Sequence, residues 1–383
     1  MTCRHPLHCI IPPHMAEEIE QNGTPRQREV ARQNLAVSQS IRSEREAVMA
    51  VAVPRAAAAG KQRSVHSANN GTQLPGQMIR GEGDAPSGDV AVDEAYDGSG
   101  DTYDMYQQIY GRDSLDGQGL QLISTVHYRQ GYDNAFWNGQ QMAYGDGDED
   151  LPENERLFNR FTKSLDVIGH ELTHGVIQFS ANLVYQNQSG ALNESFADVF
   201  GSLVRQWKAG QTVDQADWLI GGELLTSNVN GEGIRSMKAP GTAYNDQVLG
   251  KDPQPAHMDD FVNTTGDNGG VHINSGIPNH AFYVTARELG GQAWTRAGRI
   301  WYRALTNGQL SSNADFAAAA TLTHAVAGAE FGAGSTEQQA VVTGWKEVGI
   351  EVGDVPPPPP PPPPGNGGGR GCLMAALSLG LIR

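Results

Sequence analysis

Apolar positions recur along this chain with two different periods. Leu165, Ile168, Leu172 and Val176 fall at helical spacing behind Ser164-Leu165-Asp166, a polar start able to satisfy free helix amides. Leu192, Phe196, Val199, Phe200 and Leu203 form a second apolar stripe, which predicts a helix over Asn193 to Gly201. Asp89 to Tyr110 reads as a helix too. Leu120 to Tyr128 alternates as a half-buried strand does, and Asn134-Ala135-Phe136-Trp137 follows a Gly131-Tyr132-Asp133 turn. The chain is therefore expected to be β-rich from Ser64 to about Asp150 and mainly helical from Leu151 to Val352. Glycine punctuates the helices, as at Gly276-Ile277-Pro278-Asn279 ahead of Ala281 to Leu289.

The two ends follow other patterns. Pro12-Pro13-His14-Met15 precedes a stretch rich in Glu, Arg and Gln that predicts one helix from Ala16 to about Val53. Small, Ala-rich sequence replaces this pattern between Arg45 and Lys61. The first fifteen residues hold only Cys9-Ile10-Ile11 as an apolar run, short of a secretory h-region. A cytoplasmic location, or export by a non-classical route, is the expectation. At the other end Pro356 to Pro364 is a stiff, extended spacer. Glycine-rich sequence follows, and then Cys372 to Arg383, an apolar run too short to span a bilayer. That run fits a bacterial C-terminal sorting tail, a disordered extension or an altered reading frame.

Composition narrows the classes. With 383 residues the chain can build a two-lobed unit or two domains, and 38% hydrophobic residues with 47 glycines describe a loop-rich protein with a real core. A net charge of −16 argues against a nucleic-acid partner. The charge is uneven: residues 1–64 carry +3 and the remainder −19. A basic front segment docked on an acidic body and a solvated helical region both fit. The cysteines are Cys3, Cys9 and Cys372, so the long span between Cys9 and Cys372 has no disulfide. Cys3, His5, His8 and Cys9 offer four soft ligands, but not at the usual zinc spacings. A metal clip and a flexible terminus both remain open.

The chemistry concentrates in His170-Glu171-Leu172-Thr173-His174. Residues four apart share a helix face, so both imidazoles can converge on one ion. Glu171 is rotated away from that line and stands beside the ion, placed to take a proton from water. Twenty residues past His174, Glu194 lies beside the second apolar stripe, where burying a carboxylate is costly without a partner. Two histidines and a glutamate are three of the four ligands of a catalytic zinc. A chance match, with two ordinary histidines, is the alternative.

These segments resemble the thermolysin family of metallopeptidases. The resemblance rests on Gly169 to Val176 and Gly190 to Ser195. It continues in Asn134 to Gly139, Tyr144 to Asp148, Arg235-Ser236-Met237 and Gly270 to Ile277, in order from about Ser64 to Val352. The spacing from His174 to Glu194, nineteen intervening residues, and the lack of a Gly-Ala-Met-Glu-Asn motif favour an endopeptidase over the zinc aminopeptidases. The resemblance implies an α+β fold with a β-rich lobe (56–160), a helical lobe (161–352) and a cleft between them. A linker and tail would occupy 353–383. It implies Zn2+ on His170, His174 and Glu194, with Glu171 as general base. His272 and Tyr185 would stabilise the oxyanion, and Asp267 would hold His272 in its protonated form. Asn193 and Asp198 would orient the two histidines. Asn134 and the Ala135 carbonyl, on an edge strand, would hold peptide backbone, and Arg235 a substrate carbonyl. By the same resemblance Val167 and Ile234 would make the pocket after the cut apolar, so cleavage before Leu, Phe or similar residues is expected.

Two further implications concern the ends of the site. Ile11-Pro12-Pro13-His14-Met15 is similar to the short precursor segment of the protealysin branch. This implies that residues 1–55 are a propeptide that blocks the cleft until it is cut between Arg45 and Lys61, with His14 or Cys9 able to approach the zinc. At the family's calcium sites, Asp166 and Asp217 match carboxylate ligands, but Arg205 replaces the bridging glutamate. A guanidinium there can pair with both aspartates, so the double Ca2+ site is expected to be reduced or lost. Peptide or protein substrates and a monomer are expected. An inactive peptidase fold serving as a binding or scaffold protein is the second function class.

Overall fold

The computed structural model describes residues 8–49 and 60–353. The expected cut between Arg45 and Lys61 falls largely outside these residues. The proline run, the apolar tail, Cys3 and Cys372 lie wholly outside them.

The front of the chain forms β1 (His8–Cys9), α1 (Pro13–Asn22) and α2 (Pro25–Met49). The single helix expected over 16–53 is thus two. The break is local: the Thr24 hydroxyl accepts from the Gln27 amide at 3.3 Å, and the Gln27 side chain accepts from the Thr24 amide at 2.8 Å. This reciprocal capping box closes on Thr24, just ahead of α2, and leaves Pro25, whose missing N–H costs nothing there, at the first helical position.

Next come β2 (Arg63–Ser67), β3 (Gln77–Gly81), α3 (Val90–Tyr110), β4 (Leu122–Val126), β5 (Ala135–Trp137) and β6 (Met142–Tyr144). One six-stranded sheet runs in the order β1-β5-β6-β4-β2-β3. β4 pairs parallel with both β2 and β6, while β5 is antiparallel to β6 and to β1. The family resemblance implies that Ala135–Trp137 is an edge strand. Here that edge is covered by the chain's own front, with Cys9 opposite Phe136 and His8 opposite Trp137. No periodicity could show this pairing, because it joins residues about 130 positions apart.

Helices α4 (Leu165–Gln178) and α5 (Asn187–Ala209) follow, and every residue of α4 from Asp166 to Ile177 is buried. Ser164 does not cap α4 with its side chain: its hydroxyl donates to Asp166 Oδ1 at 2.5 Å. α4 and α5 pack very closely. A Cβ on Gly201 would lie 2.4 Å from the Asp166 carbonyl oxygen, so glycine is required where the two backbones meet. A short pair, β7 (Leu219–Ile220) and β8 (Arg235–Ser236), lies beyond. Then come α6 (Asp267–Asn274), α7 (Gly276–Leu289), α8 (Ala297–Thr306), α9 (Phe316–Phe331) and α10 (Thr336–Glu347). This is the expected α+β arrangement, a sheet-containing N-terminal part and a helical C-terminal part, with one large apolar core running through both.

One ion-pair cluster ties the sheet to α3. Asp89 caps α3 by accepting from the Ala91 and Val92 amides. His127 joins Asp89 Oδ2 at 2.9 Å to Asp146 at 2.8 Å. The hydrogen bond to Asp146, opposed by burial and reinforced by both carboxylate charges, raises the His127 pKa to about 9. A raised histidine pKa stabilises the fold fully below the unfolded value near 6.5, and the contribution fades as pH rises through about 9. We expect His127→Asn, which tolerates the left-handed backbone there (φ 52°), to cost about 1–2 kcal/mol at pH 6. The gap from wild type in urea melts should shrink steadily between pH 6.5 and 9; a gap that does not change with pH would refute the assignment.

Candidate active site

The α4 turn between His170 and His174 brings their Nε2 atoms to 3.1 Å. Glu194, from α5, sets Oε2 3.5 Å from His170 Nε2 and Oε1 3.5 Å from His174 Nε2. All three residues are buried, and among the described residues they form the one His/Cys/Asp/Glu group close enough to share an ion.

The hydrogen bonds behind the ligands decide what this group can hold. His170 Nδ1 donates to Asp198 Oδ1 at 2.8 Å, and His174 Nδ1 donates to Asn193 Oδ1 at 2.9 Å. The Asn193 orientation is fixed because its Nδ2 donates to the Leu183 carbonyl at 3.1 Å. With both Nδ1 atoms protonated, the neutral rings turn bare Nε2 lone pairs toward each other and toward a carboxylate. Glu194 Oε2 is buried with no hydrogen-bond partner. Lone pairs and negative charge facing one another in a dry interior are repulsive unless a cation lies between them. The residues present therefore fit a divalent metal.

Asp198 is itself clamped. Arg235 Nε and Nη2 donate to its two oxygens at 2.8 and 2.7 Å, and Asn279 Nδ2 donates to Oδ2 at 2.8 Å. Burial alone would raise this carboxyl, but the charge of Arg235 and the bond from His170 hold it well below the usual carboxylate range. Asn279 was not legible as a site residue. Its only signal was the Gly276-Ile277-Pro278-Asn279 helix start.

The other named residues gather on the open side of this group. Glu171 is buried and its Oε2 accepts from the Trp137 amide at 3.0 Å. The Tyr185 hydroxyl donates to Glu194 Oε1 and lies 3.1 Å from His272 Nε2. His272 Nδ1 donates to Asp267 Oδ1 at 2.7 Å. Burial would lower the His272 pKa, but the charges of Asp267 and Glu194 outweigh it and raise the value. Asp267 can reach because residues 267–270 take left-handed backbone, where two of the four are glycines. Gln254, which no motif singled out, donates to the His272 carbonyl at 2.8 Å.

The front segment crosses this site as the short strand β1 and then bends at Ile10 and Ile11. Cys9 C=O accepts from His272 Nε2 at 3.1 Å. The Ile10 amide donates to the Ala135 carbonyl at 3.4 Å, and Ile10 C=O accepts from Arg235 Nη1 at 3.1 Å. Asn134 accepts from the Ile11 amide at 3.0 Å and donates to the Ile11 carbonyl at 3.3 Å. The backbone of Cys9, rather than its thiol, meets His272; Sγ lies 3.7 Å from the Ile11 carbonyl oxygen. His14 is set at Tyr244 Oη, 3.2 Å away, and burial lowers its pKa to about 4. Neither Cys9 nor His14 joins the metal group.

Arg205 bridges Asp166 and Asp217, the two carboxylates for which the family resemblance raised the expectation of calcium. Its Nη1 donates to Asp166 Oδ2 at 3.0 Å and its Nη2 pairs with Asp217. Burial raises the Asp166 pKa, partly offset by the Arg205 charge.

Comparisons agree with this geometry. Residues 54–178 match the thermolysin metallopeptidase catalytic domain, and residues 181–350 its alpha-helical domain. An extracellular metalloprotease of Pectobacterium carotovorum subsp. carotovorum is 51% identical over 353 residues, covering 91% of this chain and 97% of that protein. An extracellular minor metalloprotease of Serratia marcescens (strain ATCC 21074 / E-15) is 42% identical over 287 residues, covering 75% and 79%. The solved precursor of protealysin, a metalloproteinase from Serratia proteamaculans, superposes with a TM-score of 0.81 at 50% identity, covering 90% of this chain and 99% of that one. These relatives correct the expected location: both matched metalloproteases are named extracellular, which points to an exported protein and away from the cytoplasm. With both domains matched, the chain belongs to the thermolysin family of metallopeptidases and is a metalloendopeptidase.

Proposed function

We propose that the chain is a zinc endopeptidase made as a self-inhibited precursor, monomeric, that cuts peptide bonds ahead of bulky apolar residues. The observation that carries this reading is the Cys9–Ile11 segment, hydrogen-bonded through its backbone to His272, Arg235 and Asn134 beside the buried His170, His174 and Glu194. Residues 1–55 are the inhibitory propeptide, 56–160 and 161–352 the two catalytic lobes, and 353–383 a linker and tail. The chain acts outside the cytoplasm.

His170, His174 and Glu194 hold Zn2+, which when bound supplies the Lewis acidity for amide hydrolysis. Glu171 takes the proton from the attacking water and delivers it to the leaving amine. The Trp137 amide holds one Glu171 oxygen, which aims the carboxylate. Tyr185 Oη and His272 Nε2, 3.1 Å apart, converge on the point where negative charge develops on the substrate oxygen. Asp267 keeps the His272 ring oriented and charged. Asn134 and the Ala135 carbonyl bind the peptide main chain as an added strand, which makes binding largely independent of sequence. Specificity comes from the apolar pocket that contains Val167 and Ile234, both buried. Asp198 and Asn193 fix the tautomers of the two histidine ligands. Arg205, paired with Asp166 and Asp217, takes the place of calcium.

Three outcomes test this reading. Glu171→Gln should fold and bind zinc, yet cleave a peptide with an internal Leu about 100- to 10,000-fold more slowly than wild type; equal cleavage rates would overturn the mechanism. Asp198→Asn should weaken zinc binding by about 10- to 100-fold in a chelator competition, and unchanged affinity would remove its orienting role. Adding millimolar calcium to zinc-loaded protein should move Tm by less than about 1 °C, since a site that gains no ligand gains no stability. Calorimetric detection of two calcium ions at Asp166 and Asp217 would sink the Arg205 assignment.

A further inference from the structure

We propose that the Cys9–Ile10 peptide bond is held across the catalytic groups as a substrate, and that the enzyme cuts it within its own chain. This rests on the endopeptidase reading above and deepens it.

Three observations set the register. The segment runs antiparallel to β5, with Cys9 opposite Phe136. The Cys9 carbonyl is the one that reaches His272 Nε2, at 3.1 Å, and Tyr185 Oη lies 3.1 Å from that same nitrogen. The next two carbonyls, of Ile10 and Ile11, are taken up by Arg235 and Asn134. The carbonyl facing the oxyanion donors therefore belongs to Cys9, and the bond beyond it is Cys9–Ile10. Ile10 is fully buried, in the same apolar cluster as Val167 and Ile234. It has the bulky apolar character that the proposed pocket takes. Pro12 and Pro13 stand two and three residues past Ile10, so the nitrogen of the bond is an ordinary secondary amide.

The reaction is hydrolysis and consumes one water. The water oxygen bonds to the Cys9 carbonyl carbon, the bond to the Ile10 nitrogen breaks, and Glu171 carries the proton to that nitrogen. The products are a Cys9 carboxylate and an Ile10 amino terminus. The cut does not free the cleft, because the anchors lie on the Ile10 side. Met15, Ile19 and Ala31 are buried against the body, Gln27 Nε2 donates to the Glu155 carbonyl at 2.8 Å, and Arg26 pairs with Asp150 at 3.1 Å. The nicked precursor remains plugged on that side until the second cut, between Arg45 and Lys61, releases the whole segment.

The test uses the full precursor, stripped of metal and then given one equivalent of zinc. Intact mass and N-terminal sequencing should show loss of residues 1–9 and a new Ile10 terminus in wild type but not in Glu171→Gln. The rate should be first order and unchanged over a tenfold range of protein concentration. A second readout needs no metal. The Ile10 and Ile11 amides, donating to Ala135 and Asn134, should exchange hydrogen slowly in the metal-free chain, and about 100-fold faster in Ile10→Asp. Precursor that cleaves an added peptide while its Cys9–Ile10 bond stays intact would overturn the proposal, as would a nicking rate proportional to concentration or unprotected Ile10 and Ile11 amides. A chain that cuts neither an added peptide nor itself overturns the endopeptidase reading, and this proposal with it.

Discussion

Everything near the cleft depends on one electrostatic constraint: two unprotonated imidazole nitrogens and a carboxylate face one another in a dry interior. Each is a strong acceptor, and none can be solvated where it lies. Only a cation makes the arrangement favourable, and only tight helix packing makes it geometrically feasible. The close contact of α4 and α5 at Gly201 brings His170 and His174 within reach of Glu194. The ligands were chosen by chemistry, but glycine permits them to meet.

A second layer of charge keeps that constraint in register and extends it to the substrate. Asp198 receives His170, Arg235 and Asn279 at once, so one buried carboxylate ties the metal helix to β8 and α7. Truncating either partner of a buried ion pair leaves an uncompensated charge, which is far more costly than the pair is worth. Arg235 turns Nη1 to the Ile10 carbonyl. The guanidinium therefore couples ligand orientation on one side to peptide binding on the other, and a lysine, with no fork, could not do both.

The parts legible in the sequence were those with short-range signatures. Helical spacing placed His170, His174 and the apolar faces of α4 and α5, and the motif around His272 singled that residue out through the family resemblance. The capping box at Thr24-Pro25-Arg26-Gln27 was also there to be read, and it splits the front helix where composition alone suggested continuity. Ser164 shows the opposite failure: a residue type suited to capping gives its proton to Asp166 because a buried carboxylate is the stronger acceptor. Asn279, Gln254 and the strand β1 were invisible because they act through partners 18 to about 130 residues away. The expected location failed for a different reason: the weakly apolar character of the first fifteen residues bears on only one export route.

The way the front segment holds the cleft follows from its tether. Its contacts with the site are a handful of main-chain hydrogen bonds, each worth about 1 kcal/mol net, and two buried isoleucines. A free peptide making these contacts would have to offset the full loss of translational and rotational freedom. Attached to the body through α1 and α2, the same segment competes at an effective concentration of order millimolar. Modest affinity then suffices to keep the cleft filled. Cutting the tether removes that advantage without touching one contact in the cleft, and dilution completes the release. A plug built this way needs no tight binding, which is what allows an enzyme to shed its own inhibitor.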